Sequence, residues 1–342
     1  MVAGLQKVCN MDLGLLGKKV LVTGASQGVG KAIVLGFLEE GADIVMVSRG
    51  LDSLNELAVE LKKKYGDNRI IANTCDCTNE GDLISLKQLI EKKWGVIDIV
   101  IANVGDGKSV PESIPSINQW KKTWNSNFES ALQTARIFLP MLEMSHGVIL
   151  FISSIAGMEA FGAPTDYSTA KAAIIALAKN ISRKAAPNIR VNVISPGNVY
   201  FEGGSWDEKI KEDKKRVDEM IKTIVPLNRF ATPKDIANSA LFLCSGKASF
   251  ITGTNLVIDG GQTVTQAIAA GVGNRSQVLR TGSGAILRVL PDFVNQNSAS
   301  ISGLDLQASY SFDNSMGAWK AGIAAAWAQE YKVAGQKDSV GQ

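Results

Sequence analysis

Tyr167 and Lys171 stand four residues apart in the run Asp166-Tyr167-Ser168-Thr169-Ala170-Lys171-Ala172-Ala173. An Ala-rich run favours a helix, and residues four apart on a helix share one face. A Lys ammonium beside a Tyr hydroxyl favours the phenolate and lowers its pKa. A tyrosine tuned in this way can give or take a proton near neutral pH. Ser154 closes the apolar, strand-like run Phe151-Ile152-Ser153-Ser154 and is placed to hold a substrate oxygen beside that phenol. A solvated surface helix would show the same Tyr–Lys spacing, so the pair draws its weight from the elements around it.

Those elements alternate. Residues 18–23 read as a first strand, followed by Gly24-Ala25-Ser26-Gln27-Gly28-Val29-Gly30 and a helical pattern over 31–40. Strand, glycine turn and helix is the context of a phosphate-binding loop. The glycines let the backbone approach a pyrophosphate, and the helix N-terminus offers free N–H groups. Residues 44–47 read as a second strand ending at Ser48-Arg49. An acid at that point would bind a ribose 2′-hydroxyl, whereas Arg49 suits a 2′-phosphate, so the expectation is NADP rather than NAD. A third strand over 69–74 ends at Asp76, and a fourth over 97–102 ends at Asn103-Val104-Gly105. A helical pattern over 120–144 carries Asn127. Strands over 147–152 and 190–194 lead into Ser154 and into Ser195-Pro196-Gly197. The polar, charged stretch 201–223 has the profile of a lid over a site. A last strand over 255–259 is closed by Gly260-Gly261. The alternation predicts an α/β fold, a doubly wound parallel sheet of Rossmann-like type. Gly24, Arg49, Asp76, Asn103, Ser154 and Pro196 then all fall at the C-terminal strand ends, where such sheets bind ligands.

Composition narrows the field. The chain has 342 residues, 45% hydrophobic, with 36 basic and 33 acidic side chains and a net charge of +3. That balance argues against a nucleic-acid surface. Cys9, Cys75, Cys77 and Cys244 with the single His146 form neither a disulfide framework nor a metal-ligand pattern, so no metal is expected. A reduced, cytoplasmic compartment fits these cysteines. Residues 1–12 read as a leader without a signal-peptide core, and Met11 is a candidate start.

Together these residues resemble the classical short-chain dehydrogenase/reductase family over about residues 13–263. The resemblance rests on Thr23-Gly24-x-x-x-Gly28-x-Gly30, Asp76, Asn103-Val104-Gly105, Asn127, Ser154, Tyr167-x-x-x-Lys171, Pro196-Gly197 and Asp259-Gly260-Gly261. The family's thirteen-residue interval before the tyrosine selects Ser154 over Ser153. Val104 stands where the family usually has Ala. Gln27 replaces the basic residue of many NADP-preferring members, and Val199-Tyr200-Phe201 lacks the Thr that often follows Pro-Gly. The resemblance implies a nicotinamide-dependent reductase or dehydrogenase acting on a carbonyl or secondary alcohol. Tyr167 would be the general acid or base, Lys171 would lower its pKa and bind the nicotinamide ribose, and Ser154 would hold the oxygen. Asn127 would position a water in a proton relay. Gly24, Ser26, Gln27, Gly28, Val29, Gly30, Arg49, Asp76, Asn103, Gly105, Tyr167, Lys171, Pro196, Gly197 and Val199 would contact the cofactor. Pro226-Leu227-Asn228-Arg229-Phe230 looks most like the 3-oxoacyl-carrier-protein reductase-like branch. A homodimer or homotetramer is expected from the family. The alternative, from a different class, is a cofactor-binding scaffold or redox sensor without chemistry.

Residues 264–342 differ in character. The stretch 264–285 reads as a Gly/Ala/Ser linker. Leu304, Leu306, Ala308, Tyr310 and Phe312 alternate with polar residues, and Trp319, Ala321, Ile323, Ala325 and Trp327 continue the alternation, as in a hairpin. The pair resembles a fragment of a TonB-dependent receptor barrel. Two or three strands do not close a barrel, so no membrane role is expected. Trp319, Ile323 and Trp327 also have helical spacing. A third reading, a fused segment without ordered structure, is slightly preferred.

Overall fold

Seven apolar runs pair into one parallel sheet. They are β1 (Lys19–Thr23), β2 (Asp43–Ser48), β3 (Ile70–Thr74), β4 (Ile99–Ala102), β5 (Val148–Ile152), β6 (Arg190–Pro196) and β7 (Asn255–Ile258), in the order β3-β2-β1-β4-β5-β6-β7. The computed structural model describes residues 12–264, and the backbone of 277–280, 286–290, 299–314 and 317–333. β1, β2, β4, β5 and β6 are buried on both faces, and the side chains sort by parity, as the two-residue period of a strand requires. Val20, Val22, Ile44, Met46, Ile99 and Ile101 enter one core. Leu21, Val45, Val47, Val100, Ile149 and Phe151 enter the other.

Helices cover both faces. α1 (Gly28–Glu39) and α2 (Leu51–Tyr65) share the first core with α8 (Pro233–Cys244), through residues such as Phe37, Leu57 and Ile236. α3 (Glu80–Trp94), α5 (Ser130–Ser145) and α6 (Thr165–Ala185) share the second, through Leu86, Phe138 and Ile174. α4 (Ile117–Trp124) precedes α5, and α7 (Ser205–Ile224) follows β6. This is the doubly wound parallel architecture that the alternation predicts. β1 lies between β2 and β4, so the chain winds outward on one side and then returns to build the other. The crevice at that reversal is where such sheets hold ligands.

The pattern over 120–144 is not one regular helix. α4 and α5 are separated by a π-helical turn, Asn125–Glu129, and Asn127 lies in it with no exposed surface. Single π turns inside helices are characteristic of functional positions. The charged stretch after β6 forms α7, kinked at Asp213, where φ is −151° and ψ is 83°.

The chain divides into two compact units, Met1–Gln266 and Ala267–Gln342. In the second, β8 (Gln277–Arg280) pairs antiparallel with β9 (Ile286–Leu290), and β10 (Ala299–Asn314) with β11 (Gly317–Val333). The register joins Leu304 to Trp327, Ala308 to Ile323 and Phe312 to Trp319. The two alternating sets are thus cross-strand partners. The helical spacing of Trp319, Ile323 and Trp327 falls within β11, and β8 occupies 277–280 of the stretch read as a linker, of which 265–276 and 281–285 lie outside the described residues. Period two wins over the four-residue spacing because the alternation extends over both strands. The candidate leader falls on residues of which 1–11 lie outside the described part.

Candidate active site

The turn after β1 is built so that only glycine fits. Gly24 and Gly28 have φ of +64° and +55°, the left-handed region that favours glycine. A Cβ on Gly30 would lie 2.1 Å from the Gly24 carbonyl oxygen. Gln27, just before α1, makes no side-chain cap, and the first turn holds no acid. Its N–H groups are therefore left for an anion, which suits a dinucleotide pyrophosphate. Asn103 locks this turn from β4. Its amide donates to the carbonyls of Thr23 (3.0 Å) and Gly24 (3.2 Å), and the Thr23 hydroxyl accepts from its N–H (2.9 Å). Ser26 and Gln27 lie along the turn itself, and Val29 is the second residue of α1.

Arg49 is exposed just beyond β2, and Asp76 lies beyond β3. Burial pushes the Asp76 carboxyl up. Bonds from the Thr78 N–H (2.9 Å) and hydroxyl (2.8 Å) outweigh that and, with Arg49 nearby, hold it below its ordinary value. Pro196 ends β6. A Cβ on Gly197 would sit 2.8 Å from Asp259 Cα, so glycine is needed where the chain passes the end of β7. Val199 pairs with Ala231 by a single bridge.

Tyr167 and Lys171 lie one turn apart near the start of α6. Asp166 is fully buried, accepts from the Tyr167 N–H at 2.9 Å and from the Ser109 hydroxyl at 2.6 Å, and so fixes the first turn. Ser154 lies close enough to the Tyr167 hydroxyl to lower its pKa. It also opens the short 3-10 turn Ile155–Gly157, accepting from the Ala156 N–H at 3.2 Å. Neighbouring Ser153 points elsewhere, donating to the Lys171 carbonyl at 2.8 Å. The turn lies hard against α6: a Cβ on Gly157 would be 2.6 Å from the Lys171 carbonyl carbon.

Lys171 is 3% exposed. Its Nζ donates to the Ile152 carbonyl at 3.2 Å and lies 5.7 Å from the Tyr167 ring centroid. Burial brings it down from 10.5 to about 8, against the opposing pull of Asp106. The Tyr167 hydroxyl is also shifted, but upward. Burial raises it most, Ser154 lowers it, and Asp106 raises it again. The sequence expectation of a lowered Tyr167 pKa is thus corrected. In a buried pocket the cost of a phenolate exceeds what Ser154 returns, and Asp106 adds to it.

Asn127 completes the cluster. Its amide donates to the Thr123 carbonyl at 3.1 Å, and its Oδ1 accepts from the Asp106 N–H at 3.1 Å. A Cβ on Gly105 would be 2.7 Å from both Asn127 Oδ1 and Lys171 Nζ. Gly105 is thus the floor on which both side chains rest. Asn127, Ser154, Tyr167 and Lys171 are brought together at the β4, β5 and α6 ends. Asp106, Asp166 and Ser153 also shape the site and were not singled out from the sequence. The signal available for Asp106 was an acid directly after a small-residue turn at a strand's C-terminal end.

The family model described as enoyl-(acyl carrier protein) reductase matches residues 24–263. A 7alpha-hydroxysteroid dehydrogenase of Escherichia coli K12 is 32% identical over 252 residues, covering 73% of this chain and 96% of that protein. A 3-oxoacyl-(acyl-carrier-protein) reductase of Chlamydia pneumoniae is 34% identical over 255 residues, 74% of this chain and 100% of its own length. Among solved structures, the L-sorbose reductase of Gluconobacter frateurii with NADPH and L-sorbose has a TM-score of 0.69 at 30% identity, covering 74% of this chain and 98% of that one. A 7alpha-hydroxysteroid dehydrogenase with NADH and 7-oxo glycochenodeoxycholic acid has a TM-score of 0.67 at 31% identity, covering 73% and 96%. The family model spans more than half of the chain and the relatives match it along nearly their whole length, so the chain belongs to the classical short-chain dehydrogenase/reductase family of nicotinamide-dependent oxidoreductases.

Proposed function

We propose that the protein is an NADP(H)-preferring carbonyl reductase or alcohol dehydrogenase in which Tyr167 transfers the proton. The observation that carries this is the buried Tyr167 with Ser154 acting on its hydroxyl and Lys171 Nζ 5.7 Å from its ring centroid. The nicotinamide, when bound, supplies or accepts hydride at the reacting carbon. In reduction the Tyr167 hydroxyl gives its proton to the carbonyl oxygen, and in oxidation the phenolate takes it back. Ser154 holds that oxygen and stabilises its developing charge. A raised Tyr167 pKa keeps the proton in place at neutral pH, which suits the acid role. Lys171 orients the nicotinamide ribose, and its charge helps Tyr167 release the proton. Asn127 fixes the loop through Asp106 and holds a water in the relay that refills Tyr167.

For the cofactor, the uncapped start of α1 and glycines 24, 28 and 30 suit the pyrophosphate. Gly105, Pro196, Gly197 and Val199 line the nicotinamide end, and Asp76 and Arg49 the adenosine end. Arg49 in place of an acid favours a 2′-phosphate. Relatives named with NADPH and with NADH both occur, so the choice rests on Arg49. A 3-oxoacyl thioester is the first substrate class to try, on the strength of the Chlamydia relative. We place the protein in the cytoplasm, where Cys75, Cys77 and Cys244 stay free thiols, and read it as a homodimer or homotetramer.

The test is oxidation of NADPH, and of NADH in parallel, against ketones and 3-oxoacyl thioesters by wild type and Tyr167→Phe. Turnover should fall by about 10² to 10⁴ in the variant with NADPH binding unchanged. Equal turnover by the two proteins would remove Tyr167 from the chemistry.

A further inference from the structure

The ring of Phe201 lies on the glycine turn. A Cβ built on Gly28 would meet its Cζ at 2.8 Å, Cε1 at 2.9 Å and Cε2 at 3.0 Å. A Cβ on Gly204 would meet the same three atoms at 2.9 to 3.0 Å, so the ring is held between two glycines. Gly28 is the first residue of α1. The space left by its missing side chain is the approach to the uncapped N–H groups of that helix. A pyrophosphate bonded to those groups needs the space that the aromatic edge fills.

We infer that Phe201 is a displaceable cover on the phosphate site, so that cofactor entry and movement of the segment 201–224 are one event. This rests on the reading that the start of α1 receives the dinucleotide.

The chain around Phe201 is arranged for such a movement. Just before it the backbone is fixed, since the Tyr200 N–H donates to the Ala231 carbonyl and the Ala231 N–H to the Asn198 carbonyl, both at 2.9 Å. Just after it the segment is tied to itself. The Gly204 N–H donates to the Phe201 carbonyl at 3.1 Å. Asp207, 5% exposed, accepts from the Gly203 N–H at 2.9 Å and from Lys211 Nζ at 2.7 Å. Gly203 has φ of +76°, a conformation that favours glycine. Phe201 and the first turn of α7 therefore form one piece, joined to the chain at Tyr200, whose hydroxyl donates to Asp207 at 3.2 Å, and resting on Phe230 through the Trp206 ring, with centroids 5.4 Å apart. An exposed ion pair, Lys108 to Glu208 at 2.8 Å, links that piece to the loop after β4, and exposed pairs of this kind break easily.

The experiment is stopped-flow binding of NADPH, followed by cofactor fluorescence, to the full-length wild type, Phe201→Ala and Phe201→Leu. In wild type the observed rate should level off at high NADPH, because departure of the ring becomes limiting. In Phe201→Ala it should stay linear over the same range with association about tenfold faster, the fraction of binding-competent protein no longer being limited by the ring. Phe201→Leu should fall between. Identical association kinetics in all three proteins would overturn the inference while leaving the reductase reading standing. So would a weaker Phe201→Ala whose only change is faster dissociation, for the ring would then clasp bound cofactor. Failure of wild type to bind either NADPH or NADH would overturn both.

Discussion

Lys171 is a cation that the fold holds where water would solvate it better. Its pKa of about 8 in the folded protein lies below the 10.5 of the free side chain. Between those values the unfolded chain carries a proton that the folded one lacks. Unfolding free energy therefore rises with pH across that window, and the penalty for charging Lys171 is complete below pH 8. The interval corresponds to about 3 kcal/mol. Lys171→Met should accordingly be more stable than wild type in urea at pH 7, by up to about 3 kcal/mol, while losing turnover. The stability gain should vanish as pH approaches 10.5. Equal stability at pH 7 would mean that Lys171 is solvated. Asp106 acts on the neighbouring hydroxyl. It raises the Tyr167 pKa, so Asp106→Asn should move the alkaline limb of the reduction pH profile to lower pH, and an unmoved limb would discard that coupling. The residue types and spacing made Tyr167, Lys171 and Ser154 legible. The sign of the Tyr167 shift was not, because burial depends on how β5, α6 and the Ile155–Gly157 turn close over the hydroxyl.

At the scale of elements, the site depends on how near one backbone comes to another. Gly105→Ala would place a methyl 2.7 Å from Asn127 Oδ1 and Lys171 Nζ at once. Both must move, and displacements of about 1 Å in a catalytic group cost about 10²-fold. We expect kcat to fall by about that factor with little change in the thermal midpoint, because Gly105 is exposed and the atoms an added methyl would meet are polar side-chain ends. A variant with wild-type kcat would show that the floor yields freely. The strand and helix pattern of residues 18–259 was legible because burial on two faces leaves uninterrupted apolar runs. The π turn at Asn125–Glu129 was not, since 3.6-residue periodicity survives a single wide turn. Nor was the seat of Phe201 on Gly28, a contact between residues far apart in the chain.

At the scale of the whole molecule, the chain is two units, and all the residues assigned to the site fall in Met1–Gln266. A protein ending at Gln266 should keep kcat/KM within about twofold, as expected of a domain with its own core. A tenfold loss would show that the second unit supports the first. Among the described residues no helix is long and apolar enough to cross a membrane. The alternation in β10 and β11 was legible, because period two is a local signal. What this pair does was not, since a two-stranded hairpin carries no chemistry in its pattern.

The position of β7 has a consequence for how the protein is made. β7 is the outermost strand beside β6 and the last segment that the seven-stranded sheet requires. When Ile258 has been synthesised, residues 259–342 are still to come. Adding residues 259–342 at 5–20 residues per second takes roughly 4 to 17 s. The parallel sheet, whose pairings join segments distant in sequence, has that interval to close. The hairpin of β10 and β11 pairs only neighbours, and such hairpins form in about 1–10 μs. The slow, long-range part of folding thus comes first on the growing chain, and the fast, local part comes last.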